Sequence, residues 1–105
     1  MADFSKILEQ AQQMQSRLEG VQAELANMTV SGSSGGGMVS VVANGKGEIT
    51  KVRVDPSIVN ASDVEMIEDL LLVALRDAQQ KSADLAKQEM SKLTGGLGLP
   101  FKLPF

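Results

Sequence analysis

Across residues 4–28 the apolar positions are Phe4, Ile7, Ala11, Met14, Leu18, Val21, Leu25 and Met28, and the steps between them run 3, 4, 3, 4, 3, 4, 3. An unbroken heptad of this kind repeats every ~3.5 residues and draws a narrow apolar seam along one helix, a seam that suits pairing with another helix. At about 1.5 Å per residue the segment is a rod roughly 36 Å long. In a chain of 105 residues such a rod cannot hide its seam in a compact core of its own. It needs a partner, either the chain's second helix or another copy of the chain.

Length and composition narrow what that partner holds together. The chain is of a size for one domain, and Phe4, Phe101 and Phe105 are its only aromatics. The core is therefore aliphatic, with six Met residues as adaptable filler. A core this thin gains from burial against a second copy. With no Cys and no His, disulfides, a cysteine nucleophile, the dominant zinc ligands and the usual general base are all excluded. The polar start and the lack of any apolar run near ~18 residues predict neither signal peptide nor membrane span, hence a cytoplasmic protein.

The net charge of −3 is unevenly spread. Residues 1–30 carry −2, residues 31–54 carry +2, residues 55–70 carry −5 and residues 71–105 carry +2. The acidity is thus one short block, Asp55, Asp63, Glu65, Glu68 and Asp69. A nucleic-acid binder is usually more basic overall.

The order of elements is α-β-β-β-α. A helix is expected over about 3–27, with a Gln-rich outer face. A first strand follows over about 29–33, merging into a Ser/Gly-rich flexible loop over 31–37. Residues 38–44 alternate, with Val39, Val41 and Ala43 on one face. Gly45-Lys46-Gly47 suits a tight hairpin, and 48–55 forms the next strand, with Thr50, Val52 and Val54 on its apolar face and Ile49, Lys51 and Arg53 on the other. A small antiparallel sheet with one wet face results. Pro56 ends that strand. Ser62 and Glu65 form a capping box, and Asp63 adds charge at the positive end of the helix dipole. The second helix runs over about 63–93. Its first half is broad and Leu-rich, to pack on the sheet; its second half is sparse and polar, to project. The organisation is a single α+β domain over 1–94 and a flexible tail over 95–105.

Three motifs invite chemistry and fail to support it. Gly32-Ser33-Ser34-Gly35-Gly36 matches the serine-hydrolase pattern G-x-S-x-G, but no His can take the hydroxyl proton. The same glycines lack the Lys-Ser/Thr ending of a phosphate loop. Asp63, Glu65, Glu68 and Asp69 are explained by capping and a solvated face, without a metal. No catalytic residue, metal or cofactor is assigned. The basic residues fall in two groups: Arg76, Lys81, Lys87 and Lys92 on the second helix, interleaved with Asp77, Asp84 and Glu89, and Lys46, Lys51 and Arg53 on the sheet. Either could track phosphates; salt-bridged surface decoration explains the charge pattern equally well.

The segments Ile7-Leu8-Glu9-Gln10-Ala11-Gln12-Gln13-Met14-Gln15, Val30-Ser31-Gly32-Ser33-Ser34-Gly35-Gly36-Gly37-Met38-Val39, Val54-Asp55-Pro56, Glu68-Asp69-Leu70 through Asp77-Ala78, and Leu93-Thr94-Gly95-Gly96 occur in that order. Together they resemble the YbaB/EbfC family of bacterial nucleoid-associated proteins over nearly the full length. The resemblance implies a tight homodimer with its sheets joined centrally and helices projecting like tweezers. It also implies double-stranded DNA as partner, a nucleoid location, an influence on gene expression and no catalysis, small-molecule substrate or membrane. Arg76, Lys81, Lys87 and Lys92 are nominated as DNA contacts on physical grounds, then Lys46, Lys51 and Arg53. Leu18, Val21 and Leu25 are nominated for dimer or helix-arm packing. The alternative is a non-enzymatic protein-interaction module, a scaffold or chaperone-like clamp.

Overall fold

The computed structural model describes residues 2–59 and 63–96. Helix α1 spans Ala2–Asn27, strands β1, β2 and β3 span Thr29–Ser34, Val39–Asn44 and Ile49–Val54, and helix α2 spans Val64–Gly96. The strands form one antiparallel sheet in the order β1-β2-β3. Its central strand alternates as its sequence requires: Val39, Val41 and Ala43 turn toward α2 and are fully buried.

How closely α2 lies on that face is decided by small residues. Gly32 of β1 sits beneath Ala74 and Ala78, both fully buried, and a side chain there would run into the Ala74 carbonyl and Ala78 amide at well under 3.0 Å. Backbone thus rests almost on backbone. On either side of this point hydroxyls bind α2 to the sheet, the Ser34 hydroxyl of β1 donating to the Leu70 carbonyl and the buried Ser82 hydroxyl to the Asn44 carbonyl of β2 at 2.8 Å. Leu70, Leu71, Leu75 and Ile67 close the core around Val39, Val41 and Ile58.

The loop expected over 31–37 is shorter than its composition suggests. Strand β1 continues to Ser34, and only Gly35–Gly37 forms a 3-10 turn. All three of these glycines have positive φ, from 59° to 95°, which explains a glycine run where a single residue would make a poor turn. The β2–β3 hairpin is organised by Asn44: its Oδ1 accepts from the amides of Lys46 and Glu48 at 3.0 Å, and its Nδ2 donates to Glu48 at 2.8 Å. Gly45 lies against Leu25 and donates to its carbonyl at 2.8 Å, so the end of α1 is fastened to the hairpin.

One facial assignment is corrected. Ile49 does not share the wet face with Lys51 and Arg53. Val42 pairs with Lys51 but Ala43 pairs with Ile49, so Thr50 is a bulge and Ile49 moves to the side of Ala43. The extra residue reverses the alternation from that point. The capping box lies outside the described residues in Ser62, as do residues 97–105 of the expected tail; its first two residues, Gly95 and Gly96, instead continue α2, which runs past the expected end near residue 93.

Gly32→Val should lower stability by about 1–3 kcal/mol, or roughly 4–8 °C in Tm for each kcal/mol. Gly20→Ala, on a helix surface with nothing within 4 Å, should raise it by about 0.5–1 kcal/mol. Thermal unfolding followed by circular dichroism measures both.

Candidate nucleic-acid interface

The side chains of β3 on the face away from α2 are open. Lys51 and Arg53 both point there, across from Val42 and Ser40, and the rows continue to Ser31 and Ser33 on β1. The result is a flat surface of hydroxyls and two cations, with Lys46 exposed in the adjoining turn. Beside it Gly37, Met38, Ser40, Arg53, Asp55 and Pro56 line a shallow cavity of about 290 Å³. Asp55 accepts from the Ser57 amide at 2.9 Å. That bond, the Ser57 side chain and the nearby Arg53 together hold its carboxyl below the usual range.

The cations of α2 do not form one row. At 100° per residue, Arg76 and Lys87 are eleven residues apart and within about 20° of each other on the outer face. Both are exposed, and among the described residues neither has an ion-pair partner. Lys92 is paired with Glu89 at 3.4 Å. Lys81 turns to the sheet instead: its Nζ donates to the Ser31 carbonyl at 2.9 Å and lies 3.3 Å from Asp77. Asp77 in turn accepts from the Ser33 amide at 3.1 Å. An i,i+4 pair was legible in the sequence, but its target on β1 was not. Together the two side chains occupy polar backbone groups of Ser31 and Ser33 along the strand. The Ser33 amide, and after it Lys81, hold the Asp77 carboxyl below its usual 3.8.

Of the nominated packing residues, Leu25 is buried, while Leu18 and Val21 are half-buried. Met90 of α2 is also buried, two turns beyond the last sheet contact at Ser82. Among the described residues α1 is the element that packs against α2 beyond the sheet, so the second half of α2 runs beside α1 as a two-helix arm. The polar surfaces of the arm and the outer sheet face are therefore separate cationic regions.

The described residues form a helical arm on a small antiparallel sheet, with exposed cations on both, and the arrangement belongs to a class of nucleoid-associated DNA-binding proteins. The chain belongs to the YbaB/EbfC DNA-binding family, whose model matches residues 1–97. It is 52% identical over 107 aligned positions to a nucleoid-associated protein of Paramagnetospirillum magneticum, covering 100% of both chains. It is 45% identical to a nucleoid-associated protein of Gemmatimonas aurantiaca, covering 98% of this chain and 99% of that one. Among solved structures it is similar to the uncharacterized protein HP0035 from Helicobacter pylori, with a TM-score of 0.73 and 25% identity over 91% of this chain and 97% of that one. Among the described residues no helix is long and apolar enough to cross a membrane.

Asp77 has its pKa lowered on folding, so its contribution to stability is complete above the usual 3.8 and is lost as pH falls through the lower folded value. Asp77→Asn should therefore lose less stability than the native chain between about pH 5 and pH 2, as measured by denaturant midpoints across that range.

Proposed function

We propose that this chain acts as a homodimer that binds duplex DNA chiefly through phosphate contacts, and through that binding influences nucleoid organisation and gene expression. It works without catalysis, in the cytoplasm at the nucleoid. The observation that carries the reading is membership of a DNA-binding family, in a chain whose Arg76, Lys87, Lys51 and Arg53 stand exposed and outside the ion pairs of the fold. Arginine and lysine presented on rigid elements neutralise phosphates without reading base edges. Lys81 contributes differently from the other candidates, since it is already engaged with β1.

The homodimer is supported by what α2 leaves uncovered. The helix lies over β1 and β2, and Val52 and Ile49 on the same side of β3 remain 48% and 38% exposed. Leu72, on the flank of α2 opposite Asp77 and Lys81, is exposed as well. A second copy would seal this apolar edge and hold two arms in the tweezer arrangement.

A protein-interaction clamp is the second reading, favoured by the net charge of −3 and by the exposed Phe4, Ile7 and Leu8 on the arm. The two are separated by fluorescence anisotropy with a labelled random duplex. A phosphate binder loses affinity steeply between about 50 mM and 200 mM salt, with a slope near 0.9 per phosphate contact. Arg76→Glu with Lys87→Glu should weaken binding and flatten that slope by roughly one unit per contact removed. Absence of duplex binding even at about 50 mM salt would instead favour the clamp.

A further inference from the structure

The sheet has two edges, β1 and β3, and an edge strand carries backbone groups ready to pair with another strand. The molecule treats the two differently. The Met28 carbonyl faces the β2 side of β1, where it accepts from the Gly45 amide at 3.1 Å. Backbone groups alternate in direction along an antiparallel strand, so those of Ser31 and Ser33 turn outward to the free side. Helix α2 meets them there. Lys81 Nζ donates to the Ser31 carbonyl at 2.9 Å, and an Asp77 carboxylate oxygen accepts from the Ser33 amide at 3.1 Å. A contact of 3.3 Å joins the two side chains to each other.

An added strand would make the same pattern. In a parallel ladder one incoming residue donates its N–H to a carbonyl on one side of the residue it faces and accepts from the amide on the other side. Across Gly32, Lys81 supplies that donor and Asp77 that acceptor. The strand has no protection of its own: Thr-Val-Ser-Gly-Ser-Ser holds no charge and no proline, the residues that otherwise blunt an edge. Edge β3 lacks such a cover. It is exposed from Ile49 to Arg53, and among the described residues no side chain bonds to the backbone of Val52 or Val54. Stability alone does not account for the pair on β1. An exposed ion pair contributes little, and α2 is already fastened at Gly32 and by the hydroxyls of Ser34 and Ser82.

We propose that Asp77 and Lys81 guard the β1 edge, closing it to the β1 edge of another copy. The consequence for assembly rests on the homodimer proposed above. A pair joined beside β3 keeps one β1 edge at each end, and strand addition there does not close, so pair would join pair without limit. The guard keeps the pair a finite unit.

Light scattering on the native chain and on Asp77→Ala with Lys81→Ala, up to on the order of 100 µM, reads the guard. The native mass should stay level, while that of the variant should climb with concentration to about twice the native value or more, with helical circular dichroism retained. The exchange Asp77→Lys with Lys81→Asp keeps the net charge but presents a donor to the amide and an acceptor to the carbonyl, and it should climb as well. Adding Ser33→Pro, which removes the outward N–H without breaking a ladder bond, should return the alanine variant to the native curve. Asp77→Ala alone should speed exchange of the Ser33 amide by about tenfold or more and leave Val39–Ala43 unchanged. Native behaviour of either double variant, growth that Ser33→Pro leaves untouched, or unchanged exchange at Ser33 overturns the proposal. The native mass reads the homodimer separately: a single-chain value sinks that reading, and the comparison of native with variant still decides the guard.

Discussion

The close approach of α2 to β1 at Gly32 is the contact on which the rest of the architecture depends. A helix normally stands off a sheet by the depth of interleaved side chains. Here Gly32, Ala74 and Ala78 remove that layer, and the helix backbone settles next to the strand. The geometry then has consequences in three directions. Laterally, α2 is centred over β1 and β2, which leaves Val52 and Ile49 of β3 uncovered. Along the helix, Ser34 and Ser82 find backbone carbonyls within reach. Beyond Ser82 the helix leaves the sheet and becomes half of the arm.

The same contact sorts the cations. Lys81 lies at the β1 side of α2 and is drawn into the frame with Asp77, where the two satisfy polar groups of Ser31 and Ser33. Arg76 and Lys87 project outward from the same helix and are left to solvent. An acidic chain can still present locally basic surfaces, because its negative charge falls on residues 1–30 and 55–70, while residues 31–54 and 71–105 each carry +2. On the function proposed above, long-range attraction to DNA is weak in such a chain, and affinity rests on phosphates met one by one at those surfaces.

Most of the fold was legible in the sequence because it obeys two periodicities. The heptad over residues 4–28 specified α1, and the alternation around Val39, Val41 and Ala43 specified the central strand and its buried face. The details that escaped are those set by long-range contact. Gly32 read as one more residue of a Ser/Gly loop, although its role is to admit Ala74 and Ala78 from forty residues away. The bulge at Thr50 left no mark in local composition, yet it carries Ile49 to the opposite face. Of the candidate interface, the identities of the cations were legible, and their division into engaged and exposed groups was not. Neither Lys81 nor Lys87 announces by its neighbours in sequence that one will meet a strand carbonyl and the other only water.

The homodimer proposed above requires a second copy of the chain to seal the apolar edge left open beside β3 and so bring two arms together. Light scattering coupled to size exclusion, comparing the native chain with Val52→Asp, tests it most directly. The native chain should run at twice its 11.1 kDa mass, and the variant, altered at a position 48% exposed in the protomer, should run at the single-chain mass with its helical circular dichroism retained. A monomeric native chain at micromolar concentration, or a variant that stays dimeric with native helicity, would contradict it.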